Sequence, residues 1–316
     1  MKCSFAKALV ICSLLVGLAN GQGSLLSSGF YDASCPSVKT VVANAVAARL
    51  QQDPSVAGPL IRMFFHDCFV FGCDGSVLIK STPNNSAERD AAPNKTIREL
   101  GLIDAIKVQL EAVCPGVVSC ADIVALAAKE AVVQSGGPDW EVEIGRRDGV
   151  TSTAGEASTS LPSSFSKVPS LIQVFTSKGL SIRDLVTLSG GIAASYGCVK
   201  SHFASIGASL STLARPSIKK ICPLPILERS RVPLDPLTPT LFDNKYYQDI
   251  LQNKGLFISD SSLLADSRTS SIVVEYAKDE QAFFTNFVRS MVNMGRIGVL
   301  TGDQGEIRRH CASTNH

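Results

Sequence analysis

Histidine and tryptophan are scarce: the 316 residues hold four of the first and one of the second. Any centre that relies on imidazole must therefore draw on His66, His202, His310 or His316. Net charge is equally thin, at 30 basic against 28 acidic residues, which excludes the concentrated basic face that binds nucleic acid. Beyond the N-terminal segment, no uncharged apolar run approaches the roughly 20 residues that cross a bilayer, so no membrane span is expected. Repeats, low-complexity blocks and long linkers are missing too, which argues for one folded unit. With 45% apolar residues, that unit has ample material for a core.

The N-terminus reads as an export leader. Lys2 and Lys7 precede an apolar stretch from Ala8 to Ala19, too short to span a membrane, and small residues at Ala19 and Gly21 suit cleavage. Residues 1–21 are thus expected to be a signal peptide and 22–316 a single domain. Cysteine usage agrees with export. Cys3 and Cys12 leave with the leader, and Cys35, Cys68, Cys73, Cys114, Cys120, Cys198, Cys222 and Cys311 remain. An even set in an exported chain predicts four disulfides, whose pairing the spacing leaves open.

Hydrophobic periodicity is helical nearly throughout. Val38, Val41, Val42, Ala45, Val46 and Leu50 share one face behind a candidate cap, Ser37. Leu102, Ile103, Ile106, Leu110 and Val113 repeat the pattern. Ser119 can cap the next helix, which carries Ile123, Val124, Ala127 and Val132 before Gly136-Gly137-Pro138 stops it. Phe283, Phe284, Phe287, Val288, Met291 and Met294 form a last stripe, ending at Gly295 and read as core. The expected fold is all-α, in two lobes around a cleft.

The chemistry concentrates between Leu60 and Ser76. Arg62 and His66 stand four residues apart, so a helix places both on one face. A guanidinium beside an imidazole disfavours the protonated ring and leaves a neutral base near pH 7. The arginine can stabilise negative charge on a leaving oxygen. Those are the two tasks in splitting a peroxide. Next come Asp67, Asp74 and Ser76, with the carbonyls of Val70 and Gly72 between them. Hard oxygen donors at that density suit calcium, though the spacing is not that of an EF-hand.

This stretch resembles the distal signature of the class III secretory plant haem peroxidases. The likeness extends through Phe30-Tyr31 to Cys35-Pro36, Cys114-Pro115 to Cys120-Ala121-Asp122, Gly136 to Trp140, Gly145-Arg146-Arg147-Asp148, Leu161-Pro162 and Thr238 to Tyr247. The resemblance implies the plant peroxidase fold, with a haem b cleft between distal and proximal lobes. It implies Arg62 and His66 as the distal acid/base pair, Phe65 packed over the haem, and Asn94 on the other nitrogen of His66. It implies a distal calcium on Asp67, Val70, Gly72, Asp74 and Ser76, with Glu88 reaching it through water. A proximal calcium would take Asp235, Thr238, Leu241 and Asp243. Asp122 and Arg146 would form a buried ion pair, and the carbonyl of Pro162 would meet an aromatic donor. The implied disulfides are Cys35–Cys114, Cys68–Cys73, Cys120–Cys311 and Cys198–Cys222. The implied partners are hydrogen peroxide and small aromatic donors, in a monomer secreted to the extracellular space, cell wall or vacuole. An oxidoreductase of this class serves the response to oxidative stress.

The chain departs from the family at one place. Where members carry His-Thr after the glycines of the proximal helix, this sequence reads Gly190-Gly191-Ile192-Ala193, and the count to Cys198 is one residue short. Isoleucine has no lone pair for iron. The threonine expected at the proximal calcium is lost with the histidine. Asp260, the would-be partner of the missing histidine, is expected to face an apolar side chain, and a buried carboxylate without a donor is costly. His202 lies ten residues beyond Ile192 and reads as a loop residue; His310 and His316 read as surface residues. Three readings stay open: a peroxidase, a catalytically inactive calcium-binding scaffold, or a miswritten coding sequence over about 192–209. Asn84-Asn85-Ser86 and Asn94-Lys95-Thr96 are glycosylation sequons; Asn84 suits a surface site, whereas the role implied for Asn94 turns it inward.

Overall fold

Apolar spacing and its punctuation place the helices. The structure, a computed structural model, describes residues 26–191, 196–197, 231–232, 235 and 237–315. The expected leader, Ile192, His202, His316 and the pair Cys198 and Cys222 lie outside the described residues. α1 (Val38–Gln52) turns Val38, Val42 and Val46 into the core. Ser37 does not cap it through its side chain, because that residue already has helical backbone angles. α2 (Ala57–Phe69) is buried over most of its surface, and α3 (Leu100–Val113) is amphipathic. α4 (Cys120–Gln134) starts as expected, with Ser119 accepting from the Asp122 N–H at 3.1 Å. It stops where Gly136 takes φ +94° and the Gly137 N–H closes on the Val132 carbonyl at 2.9 Å.

α1 and α2 both pack against α4, making the first half of the molecule. The second half holds α5 (Ala154–Ser160), α6 (Val168–Ser177), α7 (Ile182–Gly191), α8 (Lys245–Leu251), α9 (Ile258–Ala265), α10 (Ser267–Lys278) and α11 (Glu280–Met294). α11 packs on α7 and α10 on α8. The Phe/Met stripe of α11 is core, with Phe283, Phe287, Met291 and Met294 buried among Phe242, Tyr247 and Tyr276. Gly190 and Gly191 let α7 approach this cluster: a Cβ on the first would strike the Tyr247 ring, and on the second Phe287. Among the described residues, the only sheet is a two-residue antiparallel pairing of β1 (Tyr196–Gly197) with β2 (Arg231–Val232). The fold is otherwise all-α, as the periodicity predicts.

Three of the four implied disulfides are formed, Cys35–Cys114, Cys68–Cys73 and Cys120–Cys311. The last ties the start of α4 to the C-terminal segment. The implied ion pair is also present. Arg146 Nη1 donates to Asp122 Oδ1 at 2.8 Å, and the Tyr31 hydroxyl donates to Asp122 Oδ2 at 2.8 Å, all three buried. Breaking such a pair from one side typically costs about 3–5 kcal/mol, because it strands a buried charge.

Candidate active site

α2 places His66 on one wall of a cleft, with Arg62 one turn earlier on the same helix. His66 is buried, and Arg62 is partly buried with Nη2 donating to the Pro93 carbonyl at 2.8 Å. The cleft opens to solvent. Its first wall includes Phe65, His66 and Pro93; its second includes Phe175, Ser189 and Phe257 from the other half of the molecule. Leu161, Pro162 and Phe165 form its edge. Phe65 stacks on Phe69 with ring centres 4.0 Å apart and meets His66 edge-on. A mostly apolar cleft with a few convergent polar groups suits a small-molecule or cofactor ligand.

The hydrogen bonds of Asn94 fix the tautomer of His66. Asn94 Nδ2 donates to the Glu88 carbonyl at 2.8 Å, and a carbonyl can only accept. The amide oxygen therefore faces His66, 2.6 Å from Nδ1, and Nδ1 must carry the proton. The lone pair is left on Nε2. Burial first, and the nearby Arg62 charge second, push the ring well below the usual histidine range, with Asn94 opposing them. His66 is a neutral, oriented base. Asn94 is itself buried, so its sequon is not accessible, whereas Asn84 is exposed.

The oxygen donors behind α2 converge as the sequence suggests. Asp67, Asp74, Ser76 and Glu88 are all buried. Asp67 accepts from the N–H groups of Gly75 at 2.9 Å and Val77 at 3.3 Å, and Asp74 from Ser76 at 3.0 Å. The hydroxyl of Ser76 and both carboxyl oxygens of Glu88 have no hydrogen-bond partner. Burial, then the charge of Asp67, pushes Glu88 up to about 9, and burial also raises Asp67 and Asp74. Buried carboxyl groups and an orphaned hydroxyl facing one another fit a hard cation. Among the described residues, no three His, Cys, Asp or Glu side chains suffice to hold a metal by themselves, so backbone carbonyls must contribute. The two implied carbonyls already accept once each, Val70 from Lys178 Nζ at 2.9 Å and Gly72 from the Asp74 N–H at 2.8 Å, and each keeps a second lone pair.

On the proximal side, Asp235, Thr238, Leu241 and Asp243 line a second, small cavity with Gly190, Gly191 and Tyr246. Asp235 accepts from the Leu237 and Thr238 N–H groups and from the Thr238 hydroxyl, at 2.8, 3.2 and 2.8 Å. Asp243 accepts from the Lys245 N–H at 2.8 Å. Asp249, which sequence reasoning passed over, is buried with both oxygens unpartnered, and burial raises it to about 6.

The expectation for Asp260 is overturned. It does not lack a donor: the Tyr246 hydroxyl donates to Oδ1 at 2.9 Å, and the Phe257 N–H to Oδ2 at 2.8 Å. Burial still pushes the carboxyl up to about 6. No local signal in the sequence places Tyr246 against a residue fourteen positions later.

The peroxidase family model matches residues 42–279. The chain belongs to the peroxidase family. Its relatives are the class III plant peroxidases. Peroxidase 3 of Arabidopsis thaliana is 43% identical over 326 residues that cover 100% of both chains. Peroxidase 27 of Arabidopsis thaliana is 44% identical, covering 98% of this chain and 99% of its own. Peroxidase 4 of Vitis vinifera is 40% identical, covering 99% of each. By family this peroxidase is an oxidoreductase, with a mostly helical fold of the family's kind. Among the described residues no helix is long and apolar enough to cross a membrane.

Proposed function

We propose that the chain is a secreted haem peroxidase that reduces hydrogen peroxide and takes single electrons from small phenolic donors. The observation that carries this reading is the buried, neutral His66, with Nδ1 held by Asn94 and Arg62 one turn away. Phe65, Phe175 and Ser189, which line the cleft, would help hold a haem, and that group would supply the redox chemistry. The chain's own residues manage protons and charge. Nε2 of His66 takes a proton from peroxide and hands it to the departing oxygen, while the Arg62 guanidinium stabilises the charge there. Leu161, Pro162 and Phe165 form the rim against which an aromatic donor docks. Asp67, Val70, Gly72, Asp74 and Ser76 hold calcium, with Glu88 reaching it through water, and the ion stiffens the base through the Glu88 carbonyl and Asn94. The leader at 1–21 directs export, and 22–316 acts as one domain and as a monomer.

This reading needs an axial nitrogen that Ile192 cannot give. His202 is the one histidine between His66 and His310. His66→Leu should abolish fast peroxide reduction in protein that binds haem; unchanged turnover would refute the assigned base. A second reading, a secreted calcium-binding scaffold without catalysis, is favoured by Ile192 and by Asp260, whose carboxylate is satisfied by Tyr246 without a histidine. A colourless protein that still binds calcium would support that scaffold. Sequencing the transcript across codons 188–210 separates both from a miswritten stretch.

A further inference from the structure

We propose that Tyr246, on the wall of the second cavity where α7 ends, is an internal one-electron donor, with Asp260 as the acceptor of its phenolic proton. The inference rests on the peroxidase reading for the oxidant in the cell, but its chemistry belongs to the chain. A phenol that loses an electron becomes strongly acidic, so a buried tyrosine is oxidised readily only where a base can take its proton. Among the four tyrosines whose side chains are described, three fail that requirement. Tyr247 donates to the Val186 and Thr187 carbonyls at 3.0 and 3.1 Å, neither of which is a base. Tyr276 shares its hydroxyl with Thr187 at 2.9 Å beside the Arg183 guanidinium. Tyr31 donates to Asp122, but that carboxylate is neutralised by Arg146 and takes the Gly145 and Arg146 N–H groups as well. Tyr31 also lines neither cavity.

Tyr246 meets both demands. Its hydroxyl is 2.9 Å from Asp260 Oδ1, and among the described residues no cationic side chain forms an ion pair with that carboxylate. Tyr246 lines the cavity beside Gly190 and Gly191, where α7 ends. Burial makes the Asp260 carboxyl a stronger base than an exposed aspartate while leaving it mostly ionised near neutrality. The Tyr246 ring lies 5.2 Å from Tyr247, which lies 5.1 Å from Tyr276, so electronic contact continues through the proximal half.

The step balances. Tyr246 gives one electron to the one-electron oxidant generated by peroxide reduction, and its proton crosses to Asp260. The products are a neutral tyrosyl radical, a neutral carboxylic acid and an oxidant reduced by one electron. A phenolic donor at the cleft edge later supplies an electron to the radical. Asp260 then returns the proton, and the donor's own proton leaves to water.

The test uses the purified full chain and photogenerated tris(bipyridyl)ruthenium(III) as oxidant, read by electron paramagnetic resonance and transient absorption. Wild type should give a tyrosyl signal that forms more slowly in deuterated water. Tyr246→Phe, which removes one hydroxyl, should lose most of that signal. Asp260→Asn should slow its formation roughly a hundredfold and erase the isotope effect, and Asp260→Glu should restore part of both. Equal radical yield in Tyr246→Phe would overturn the proposal, as would an unchanged rate in a folded Asp260→Asn protein. The ruthenium oxidant replaces the one made in the cleft, so protein that binds no haem still decides the matter. Loss of the peroxidase reading and loss of this inference are therefore distinguishable.

Discussion

Removing divalent cations should make the stability of this chain fall with rising pH above neutrality. Glu88 is buried, its two carboxyl oxygens have no partner, and burial with the Asp67 charge raises it to about 9 from 4.5. The unfolded chain releases that proton near the lower value. Between the two, the folded state holds a proton that the unfolded state has lost, so Glu88's contribution is complete below about 4.5 and disappears as pH rises through about 9. Between pH 7 and 8.5 the loss is about 2 kcal/mol for Glu88 alone, at 1.36 kcal/mol per unit. Asp67 is raised as well and acts in the same sense. His66, whose folded state is depressed, acts in the opposite sense but only as pH falls below about 6.5, outside this window. For a domain of this size, about 2 kcal/mol corresponds to a Tm lower by roughly 4 °C. Calorimetry of chelator-treated protein at the two pH values reads it directly. Millimolar calcium should remove most of the difference, because the metal takes the ionised carboxylates. Glu88→Gln should flatten the chelated profile and reduce the gain from calcium. A chelated Tm that is level or rises between pH 7 and 8.5, unaffected by calcium, would refute the reasoning.

Other perturbations follow from single contacts. Asn94→Ala frees the Nδ1 side of His66 and should cost roughly 10–100-fold in peroxide reduction by stopped-flow, with the circular dichroism spectrum intact. Tyr31→Phe removes the 2.8 Å donor to Asp122 and should lower stability by about 2 kcal/mol in urea unfolding. Gly72→Ala puts a Cβ against the Gly298 carbonyl at φ +130° and should destabilise by about 2 kcal/mol or more. A Gly72→Ala protein of unchanged midpoint would show that the loop closed by Cys68–Cys73 rearranges easily.

Much of the molecule was legible because its determinants are local. The 3.6-residue pattern located α1, α3, α4 and α11, and the Gly136-Gly137-Pro138 stop ended α4 where it was expected. Arg62 and His66 share a helix face for the same reason, and Asp67, Asp74 and Ser76 lie within ten residues of one another. Ser37 misled because capping depends on backbone angles, not only on residue type. Asp260 misled because its partner comes from α8, across the fold, and nothing near it in sequence announces a phenol. Asp249 was silent for a related reason. It follows the Tyr246-Tyr247 pair on a short helix, and only the folded chain shows it buried and unpartnered near Asp235. The three disulfides formed agree with the pairing implied by the family, which cysteine spacing leaves undecided.

The absorption spectrum of the purified, haem-supplied full chain, recorded before and after one equivalent of hydrogen peroxide, bears most directly on the peroxidase reading. The account predicts a ferric Soret band that shifts at once with peroxide, and a His66→Leu protein whose band is present but does not shift. A wild-type chain that emerges colourless, or whose band ignores peroxide, contradicts it.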